Sequence, residues 1–314
     1  MQTKLISMTS NPIEVMWVAA RTCYSEKSPI ELWEDRMGQS IEELLDMSEK
    51  DMRNYTNTVK DKHWNLVKKV LDSGHQSVAE HVYFTFAIEG ISRACSHQLV
   101  RHRAGIVFSQ QSQRYVEIKE DFRTLYDLLN PPLVKHSAAK KDVMAICSKY
   151  FVDVNDDNYY SYANCLLEYI RRVNNGQKAE DARQILPNAT KTNITMSLNF
   201  RELIHICNLR LCSRAQAEIR QVFKLIKEEV LRVDERLASL LVPSCEAHGV
   251  CTEHKCCGRK PRLDEVKKAY KLLEEDDTIL SKEDWEQLVQ SINSPAEVNK
   301  KLKELLEMKS VLDN

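Results

Sequence analysis

The stretch HVYFTFAIEGISRACSHQLV, residues 81–100, decides the fold because it predicts a strand, a turn and a helix in direct succession. Every second residue from Val82 to Ile88 is apolar, and this period of two among β-prone residues is typical of a half-buried strand. Gly90 follows as the predicted turn. Apolar residues then recur at helical spacing up to Leu99, so the predicted helix leads directly into a basic segment.

Outside this stretch, the same patterns predict further strands and several helices. Strands are predicted at residues 4–7 and 192–198, and residues 112–118 can return as a strand. Helices are predicted from residue 11 to 23, within 31–71, within 120–179 with a break at 131–132, and from 200 to about 241 with a kink near 212. Asn199 lies three residues before Glu202, which is the pattern of a helix N-cap. The fold class is therefore α/β (α+β), and the small numbers of Gly (7) and Pro (8) favour many helices joined by short loops.

The composition excludes several functional classes. The net charge of -1 argues against a general nucleic-acid or membrane-surface binder, because such proteins carry a basic excess. No segment approaches the roughly 20 apolar residues that span a bilayer, and no export signal is visible. The 10 Cys are scattered, which in such a chain favours thiols or metal ligands over a disulfide framework. We expect a soluble cytoplasmic protein with no membrane or nucleic-acid partner.

Residues 101–115, RHRAGIVFSQQSQRY, concentrate cationic and hydrogen-bonding side chains. Arginine presents a planar fork for phosphate or carboxylate, and Ser and Gln supply donors and acceptors for the edge of a heterocycle. The segment therefore predicts a nucleotide site. Two alternatives stay open: a solvated basic turn, or an RNA contact through the arginines and Tyr115. The chain has neither G-x-G-x-x-G after a strand nor G-x4-G-K-[ST], so side chains would have to hold a dinucleotide.

This segment resembles the signature of the flavin-dependent thymidylate synthases, RHR followed by a spacer and S-x-R-Y. The spacer has eight residues here, 104–111, against seven in the family, and we place the extra residue within 104–107. Three other segments resemble the family in the correct order. They are GHQS with EH at 74–81, ARQILP at 182–187, and the pattern N-x-R-x3-H-x3-LR-x3-R at 199–214. The resemblance runs from about residue 23 to 241, but it does not clearly cover 31–71, 120–179 or the part after Gly258.

The resemblance implies a fold, a reaction and an assembly. It implies a central, mostly antiparallel sheet surrounded by many helices, in a homotetramer whose active sites are built from several subunits. The reaction is the conversion of dUMP to dTMP, with the methylene group from methylenetetrahydrofolate, the hydride from reduced FAD and NADPH as reductant. The alternative is a non-catalytic nucleotide- or RNA-binding relative of the same fold.

The resemblance also assigns site residues. Arg210 is the catalytic candidate, because the matching arginine faces the pyrimidine and favours its ionisation. The residues expected to bind FAD are His75, Ser77, Arg101, His102, Arg103, Gln110, Asn199, Arg201, His205 and Arg214. Those expected to bind dUMP are Gln98, Arg101, Gln110, Gln111, Ser112, Gln113, Arg114, Arg183 and Arg210. The family needs no cysteine nucleophile, and Ser112 is interpreted as a ligand because no adjacent base would activate it. Structural alternatives are a capping role for His75 and a core position for His205.

The predicted organisation has three parts. Residues 1–243 form the main domain, with helical insertions near 31–71 and 120–179. Residues 244–258 are rich in Cys and His, and 259–314 form a charged helical extension with a helix start near residue 294. In the middle part, Cys245, Cys251, Cys256 and Cys257 are possible zinc ligands. A thiol-rich loop without metal and a redox role are the other interpretations.

Overall fold

The computed structural model describes residues 1–39, 41–130 and 136–275, in two compact units, Met1–Glu202 and Leu203–Asn314. In these described ranges, no helix is both long enough and apolar enough to cross a membrane. The predicted break at 131–132 and the predicted helix near 294 lie outside the described residues. The domain boundary at residue 243 stays a prediction.

The first unit contains a four-stranded antiparallel sheet within the described residues. Its strands are β1 (Gln2–Met8), β2 (Tyr83–Ser92), β3 (Ile106–Gln110) and β4 (Lys191–Asn199), in the order β1-β2-β4-β3. In the central pair, Phe84 lies opposite Leu198 and Phe86 lies opposite Met196. All four side chains are fully buried, so the period of two in the sequence marks the buried face of the sheet. The predicted antiparallel sheet is confirmed.

Most helices of the first unit fall in the ranges predicted for them, but the helix Pro29–Glu34 begins before residue 31 and the helix Ala179–Ala182 extends beyond residue 179. They are α1 (Pro12–Thr22), α2 (Pro29–Glu34), α3 (Ile41–Leu45), α4 (Glu49–Asp72), α5 (Arg93–Leu99), α6 (Phe122–Leu129), α7 (His136–Tyr150), α8 (Tyr159–Asn174) and α9 (Ala179–Ala182). Short 3-10 helices occur at Asp35–Met37, Gln76–His81 and Arg183–Ile185. Helix α2 shows why such segments begin where they do, because Ser28 Oγ accepts the Glu31 backbone N–H (3.2 Å) and the Glu31 carboxylate accepts the Ser28 N–H (2.6 Å).

Helices α6, α7 and α8 pack around a second apolar cluster in the first unit. Leu125, Val143, Leu166 and Tyr169, one or more from each helix, are fully or almost fully buried there. The insertion near 120–179 is therefore helical, as predicted, and it has a core of its own.

The second unit is helical over its described residues. Helix α10 (Phe200–Arg210) begins directly after β4, where Asn199 Oδ1 accepts the Glu202 backbone N–H (2.8 Å), so the predicted N-cap is confirmed. It is followed by α11 (Ala217–Leu231), α12 (Glu235–Ser239), α13 (Ser244–His248) and α14 (Leu263–Glu275).

The prediction of one kinked helix from 200 to about 241 is wrong. The chain leaves the helix after Arg210, and Gln216 caps the next helix by accepting the Ile219 backbone N–H (3.2 Å). The Arg220 guanidinium donates to the carbonyl oxygens of Ser213 (2.6 Å) and Ala215 (3.2 Å). The Arg220 side chain thus satisfies backbone carbonyl groups in the break between the two helices. Hydrophobic periodicity alone does not reveal such a break.

Two predictions around the basic segment are also wrong. Gly90 is not a turn but lies inside β2, at a shift in register between Ile88 and Ile91 with a positive φ of 70°, which is typical of a β-bulge. Residues 112–118 are not a strand, because the Ser112 carbonyl accepts the Val116 backbone N–H (3.0 Å) and closes a turn. The strand lies earlier, at β3, where pairing with β4 is possible.

Candidate functional site

A tight backbone approach places the basic segment against the end of β4. Gly105 has a φ of +62° and precedes β3, and its carbonyl accepts the Asn199 backbone N–H (3.1 Å). A Cβ at Gly105 would overlap the Asn199 side-chain amide nitrogen and lie 3.0 Å from its Cγ. Only glycine fits both the left-handed backbone and this approach, so residues 101–105 turn sharply away from α5.

The RHR motif alternates between an inward and an outward orientation. His102 is 9% exposed, and its Nδ1 lies 3.8 Å from the Glu202 carboxylate. Arg101 and Arg103 are exposed on either side of it. Within the described ranges, neither of these guanidinium groups makes a hydrogen bond or an ion pair. The motif therefore presents two cations beside a buried imidazole, which suits a polyanionic ligand.

The glutamines that follow are attached to the sheet. Gln110 Nε2 donates to Ser96 Oγ (3.0 Å) and Thr192 Oγ1 (3.1 Å). Gln111 Oε1 accepts from Asn193 Nδ2 (3.1 Å). These bonds hold the end of β3 in one register, so the turn that begins at residue 112 has a defined position.

Ser112 and Gln113 occupy that turn and line a cavity of about 440 Å³. Ser112 Oγ accepts the Arg114 backbone N–H (3.1 Å). The cavity wall also includes Lys149, Tyr150 and residues of β4. The hydroxyl of Ser112 thus orders the segment, as a ligand-binding turn requires, and has no neighbouring base in these contacts.

Two arginines of the first unit contact Glu180 on α9, and a third arginine lies near one of them. Arg114 Nε pairs with the Glu180 carboxylate (2.9 Å), and Arg183 Nε donates to the Glu180 backbone carbonyl (3.1 Å). Arg93, the first residue of α5, lies close enough to Arg183 for their charges to repel. Burial, and then the Arg183 charge, lower the pKa of the Arg93 guanidinium. The carboxylate of Glu180 pairs with Arg114, so Arg93 and Arg183 leave an excess of positive charge that can bind an anion.

Arg93 was not predicted as a site residue from the sequence. Its guanidinium has no hydrogen bond or ion pair in the part of the chain that the structure describes, although it is half-buried. A signal was present, because a cation in the first turn of a helix opposes the helix dipole and needs another reason to be there.

The remaining predicted residues of the first unit lie around the start of β2 and along α5. His75 and Ser77 are exposed at the 3-10 helix Gln76–His81, and Gln98 is half-buried on α5. Glu80 of this 3-10 helix forms an ion pair with Arg201. Asn199 is buried and caps α10, so a structural role accompanies any role toward ligand.

His205, Arg210 and Arg214 belong to the second unit. His205 is exposed, so the alternative of a core histidine loses its basis. Arg210 ends α10, and Arg214 lies in the turn that follows, with its backbone N–H on Cys212 Sγ (3.5 Å). That these three residues form one site with the arginines of the first unit stays a prediction.

The proposed zinc ligands do not form a ligand set. Across the described residues, no group of three or more His, Cys, Asp or Glu side chains is arranged to hold a metal ion. Cys245, Cys251 and Cys257 line a small cavity together with Cys212 of the turn after α10. The structure therefore gives the zinc hypothesis no support, and it adds Cys212 to the cysteine cluster.

Comparison with known proteins gives consistent matches. A family model described as "Thymidylate synthase complementing protein" matches residues 4–234. The flavin-dependent thymidylate synthase of Nitratidesulfovibrio vulgaris is 35% identical over 263 residues, covering 83% of this chain and 95% of the relative. That of Geobacter sulfurreducens is 35% identical over 276 residues, covering 86% of this chain and 98% of the relative.

Solved structures share the fold at lower sequence identity. The flavin-dependent thymidylate synthase ThyX from Helicobacter pylori, complexed with FAD and dUMP, has a TM-score of 0.54 and 21% identity, covering 77% of this chain and all of that chain (100%). The UMP/dUMP methylase PolB from Streptomyces cacaoi, bound with 5-Br dUMP, has a TM-score of 0.51 and 19% identity, with 76% and 93% covered.

Proposed function

The chain belongs to the family of flavin-dependent thymidylate synthases and converts dUMP to dTMP with FAD, and we propose that methylenetetrahydrofolate donates the methylene group and NADPH reduces the flavin. The observation that carries the proposed site is the arginine group, in which Arg93 lies near Arg183 and both Arg183 and Arg114 contact Glu180. Folate and NADPH follow from the family's reaction, in which a one-carbon unit and a hydride must both be supplied.

The dUMP phosphate binds at the arginine group. Arg93 is half-buried, its guanidinium makes no hydrogen bond within the described residues, and Arg183 adds a second positive charge beside it. A phosphate supplies the missing negative charge and accepts several N–H donors at once. Hydrogen bonds to charged groups contribute about 1.5–3 kcal/mol each, so each arginine accounts for about one to two orders of magnitude in affinity.

The other dUMP ligands are the residues of the turn after β3 and their neighbours. They are Gln98, Arg101, Gln110, Gln111, Ser112, Gln113 and Arg114, together with Arg183 and Arg210. Ser112 and Gln113 offer a hydroxyl and an amide to a uracil or ribose edge from a turn that is already ordered. Arg210 carries a guanidinium cation, so its role is to stabilise negative charge that develops on the pyrimidine.

The residues of the RHR motif fit the diphosphate of FAD. Arg101 and Arg103 are exposed cations without partners in the described residues, on either side of buried His102. The full set proposed to hold FAD is His75, Ser77, Arg101, His102, Arg103, Gln110, Asn199, Arg201, His205 and Arg214. When bound and reduced, FAD supplies the hydride. The residues of the chain bind and orient the two nucleotides.

No cysteine is proposed as a nucleophile. Cys95 and Cys207 are fully buried, and burial raises the pKa of the Cys207 thiol far above its usual value. A protonated, inaccessible thiol cannot attack a pyrimidine. Ring activation is assigned to Arg210, because the resemblance to the family implies that this arginine faces the pyrimidine.

The active enzyme is proposed to be a homotetramer of the cytoplasm, with active sites at subunit interfaces and without nucleic-acid partners. The open face of the sheet supports an interface, because Val107 and Tyr83 on that face are 67% and 52% exposed. All ten cysteines are free thiols, which suits a reducing compartment.

The test combines a ligand assay with turnover. We expect the purified full chain to bind FAD, with the yellow flavin absorbance, and to release the C5 hydrogen of dUMP when methylenetetrahydrofolate and NADPH are present. Arg93→Gln is expected to raise the KM for dUMP by about 10- to 100-fold while FAD binding is retained. Arg123→Gln, an exposed arginine on α6, is the matched control and leaves the KM unchanged.

Two outcomes contradict the proposal. A protein that neither binds FAD nor releases hydrogen from dUMP refutes the reaction. An unchanged KM in Arg93→Gln, with normal turnover, refutes the arginine group as the phosphate site.

A further inference from the structure

Five of the ten cysteines gather in the second unit. Cys212, Cys245, Cys251 and Cys257 line a cavity of about 80 Å³, and Cys256 lies beside Cys257 in the sequence. All of these thiols are free. Since no ligand set for a metal is present among the described residues, the chemistry of thiols themselves is what this cluster offers.

The loop of residues 251–262 holds two of these cysteines in defined positions. Cys251 is at its base, where its backbone N–H donates to the Pro261 carbonyl (2.7 Å) and its carbonyl accepts the Leu263 N–H (2.9 Å). Cys256 is in the turn, where its sulfur accepts the Gly258 N–H (3.3 Å). The base of the loop is thus fixed by backbone bonds, while the turn lies nearer to solvent.

Within this loop the two cysteines lie side by side. The Cys256 thiol donates to the Lys260 carbonyl (3.3 Å), and the carbonyl of the next residue, Pro261, accepts the Cys251 backbone N–H (2.7 Å). Burial and the neighbouring Cys256 thiol raise the pKa of the Cys251 thiol. Cys251 is 6% exposed, whereas Cys256 is half-buried and accessible. A buried thiol in contact with an accessible one is the arrangement of a pair that is attacked at one sulfur and resolved by the other.

We propose that Cys251 and Cys256 form a redox-active dithiol, which closes to an intramolecular disulfide by exchange with a low-molecular-weight disulfide. The pair is a modification site of the second unit. This modification is an addition to the reaction assigned to the nucleotide site and takes no part in it.

The exchange has two balanced steps. The Cys256 thiol loses its proton to solvent, and the thiolate attacks one sulfur of the small disulfide; an S–S bond forms, the original S–S bond breaks, and one small thiolate leaves and is protonated. Cys251 then loses its proton to solvent and attacks the Cys256 sulfur, and the second small thiolate leaves. Two protein thiols are oxidised by two electrons in total, and one small disulfide is reduced to two thiols.

Cys257 is the natural control for this pair. The Ser213 hydroxyl and the Arg259 backbone N–H hold the pKa of the Cys257 thiol below its usual value, and the residue is exposed. It is therefore the more reactive single thiol, but its hydrogen-bonding partner is Ser213 and not Cys251. A disulfide that depended on reactivity alone would use Cys257, whereas one that depends on contact uses Cys256.

The experiment uses the reduced full chain. The protein is equilibrated in buffers with different ratios of reduced to oxidised glutathione, free thiols are blocked with N-ethylmaleimide, and trypsin and Glu-C digest the product. Cleavage after Glu246, Glu253, Lys255 and Arg259 separates the peptide with Cys245, the peptide with Cys251, and the peptide with Cys256 and Cys257. We expect the second and third peptides to stay joined. The ratio of disulfide to dithiol should change tenfold for about every 30 mV of glutathione potential, as a two-electron couple requires.

Variants assign the sulfur atoms and exclude a metal. Cys256→Ser and Cys251→Ala are each expected to abolish the joined peptides, while Cys257→Ser retains them. Loss of the joined peptides in Cys257→Ser alone, or no joined peptides in the unmodified chain at any glutathione ratio, overturns the pair. Zinc at one equivalent per chain, with oxidation only after chelation, also overturns it, because the thiols would then be ligands.

Discussion

Gly105→Ala tests the close approach that turns the basic segment away from α5. At a φ of +62°, a residue with a Cβ costs about 1–2 kcal/mol in backbone conformation alone. The new Cβ would also overlap the Asn199 side chain, which must rotate away and give up the cap on the Glu202 N–H. Loss of an N-cap costs about 1 kcal/mol. We therefore expect a total destabilisation of about 2–3 kcal/mol.

The assay is urea unfolding of the FAD-free chain at one fixed protein concentration, because ligand binding and subunit assembly would otherwise shift the stability. The change in midpoint multiplied by the common slope gives the change in free energy of unfolding. Gly176→Ala is the matched control. Gly176 has a φ of +84° with nothing within 4 Å of an added Cβ, so it isolates the backbone cost of about 1–2 kcal/mol.

A double-mutant cycle identifies the contact. Asn199→Ala is expected to cost about 1 kcal/mol by itself, since it removes the cap. In that background, Gly105→Ala should cost only as much as Gly176→Ala does. Equal effects of Gly105→Ala with and without Asn199 would refute the reasoning, because the two residues would then be energetically independent.

Two further predictions concern the second unit. Arg210→Ala is expected to abolish turnover while FAD binding mostly survives, because the guanidinium is assigned to charge on the pyrimidine; turnover measured by C5 hydrogen release at the unmodified rate would contradict this role. Cys257 is expected to be alkylated by iodoacetamide at neutral pH faster than Cys251, because hydrogen bonds lower the pKa of the first thiol and burial raises that of the second, so the thiolate fraction is larger at Cys257. Residue-resolved mass spectrometry measures both rates, and equal rates would contradict the assignment.

The local predictions succeeded where a segment carries its own periodicity. Strands β2 and β4 alternate apolar residues so regularly that burial of one face follows directly. The cap at Asn199 likewise needs only residues three positions apart. Predictions failed where distant pairing competes with local preference. Residues 106–110 became β3 because they pair with β4, and residues 112–116 closed a turn instead of extending.

The site residues show the same difference between local patterns and distant contacts. The residue types of the RHR motif and the S-x-R-Y segment indicated an anion site, and the resemblance to the family made it a proposed nucleotide site. Arg93 was missed, because its unfavourable place at the start of a helix is a weak signal that does not indicate what the side chain contacts. Its importance follows from the approach of Arg183, which lies 90 positions later in the chain and is brought there by β4 and α9.

The amino-acid sequence by itself determined the family, the antiparallel sheet, and the basic segment at 101–115 that binds nucleotide in the proposed function. These properties depend on residue types at short spacing, and short spacing is visible in one dimension. The tertiary structure alone decided that His102 is buried between two exposed arginines, that Arg93 lies near Arg183, and that Cys251 and Cys256 lie side by side. Such contacts depend on backbone pairing and on the packing of distant segments, and no local pattern encodes the distance between them.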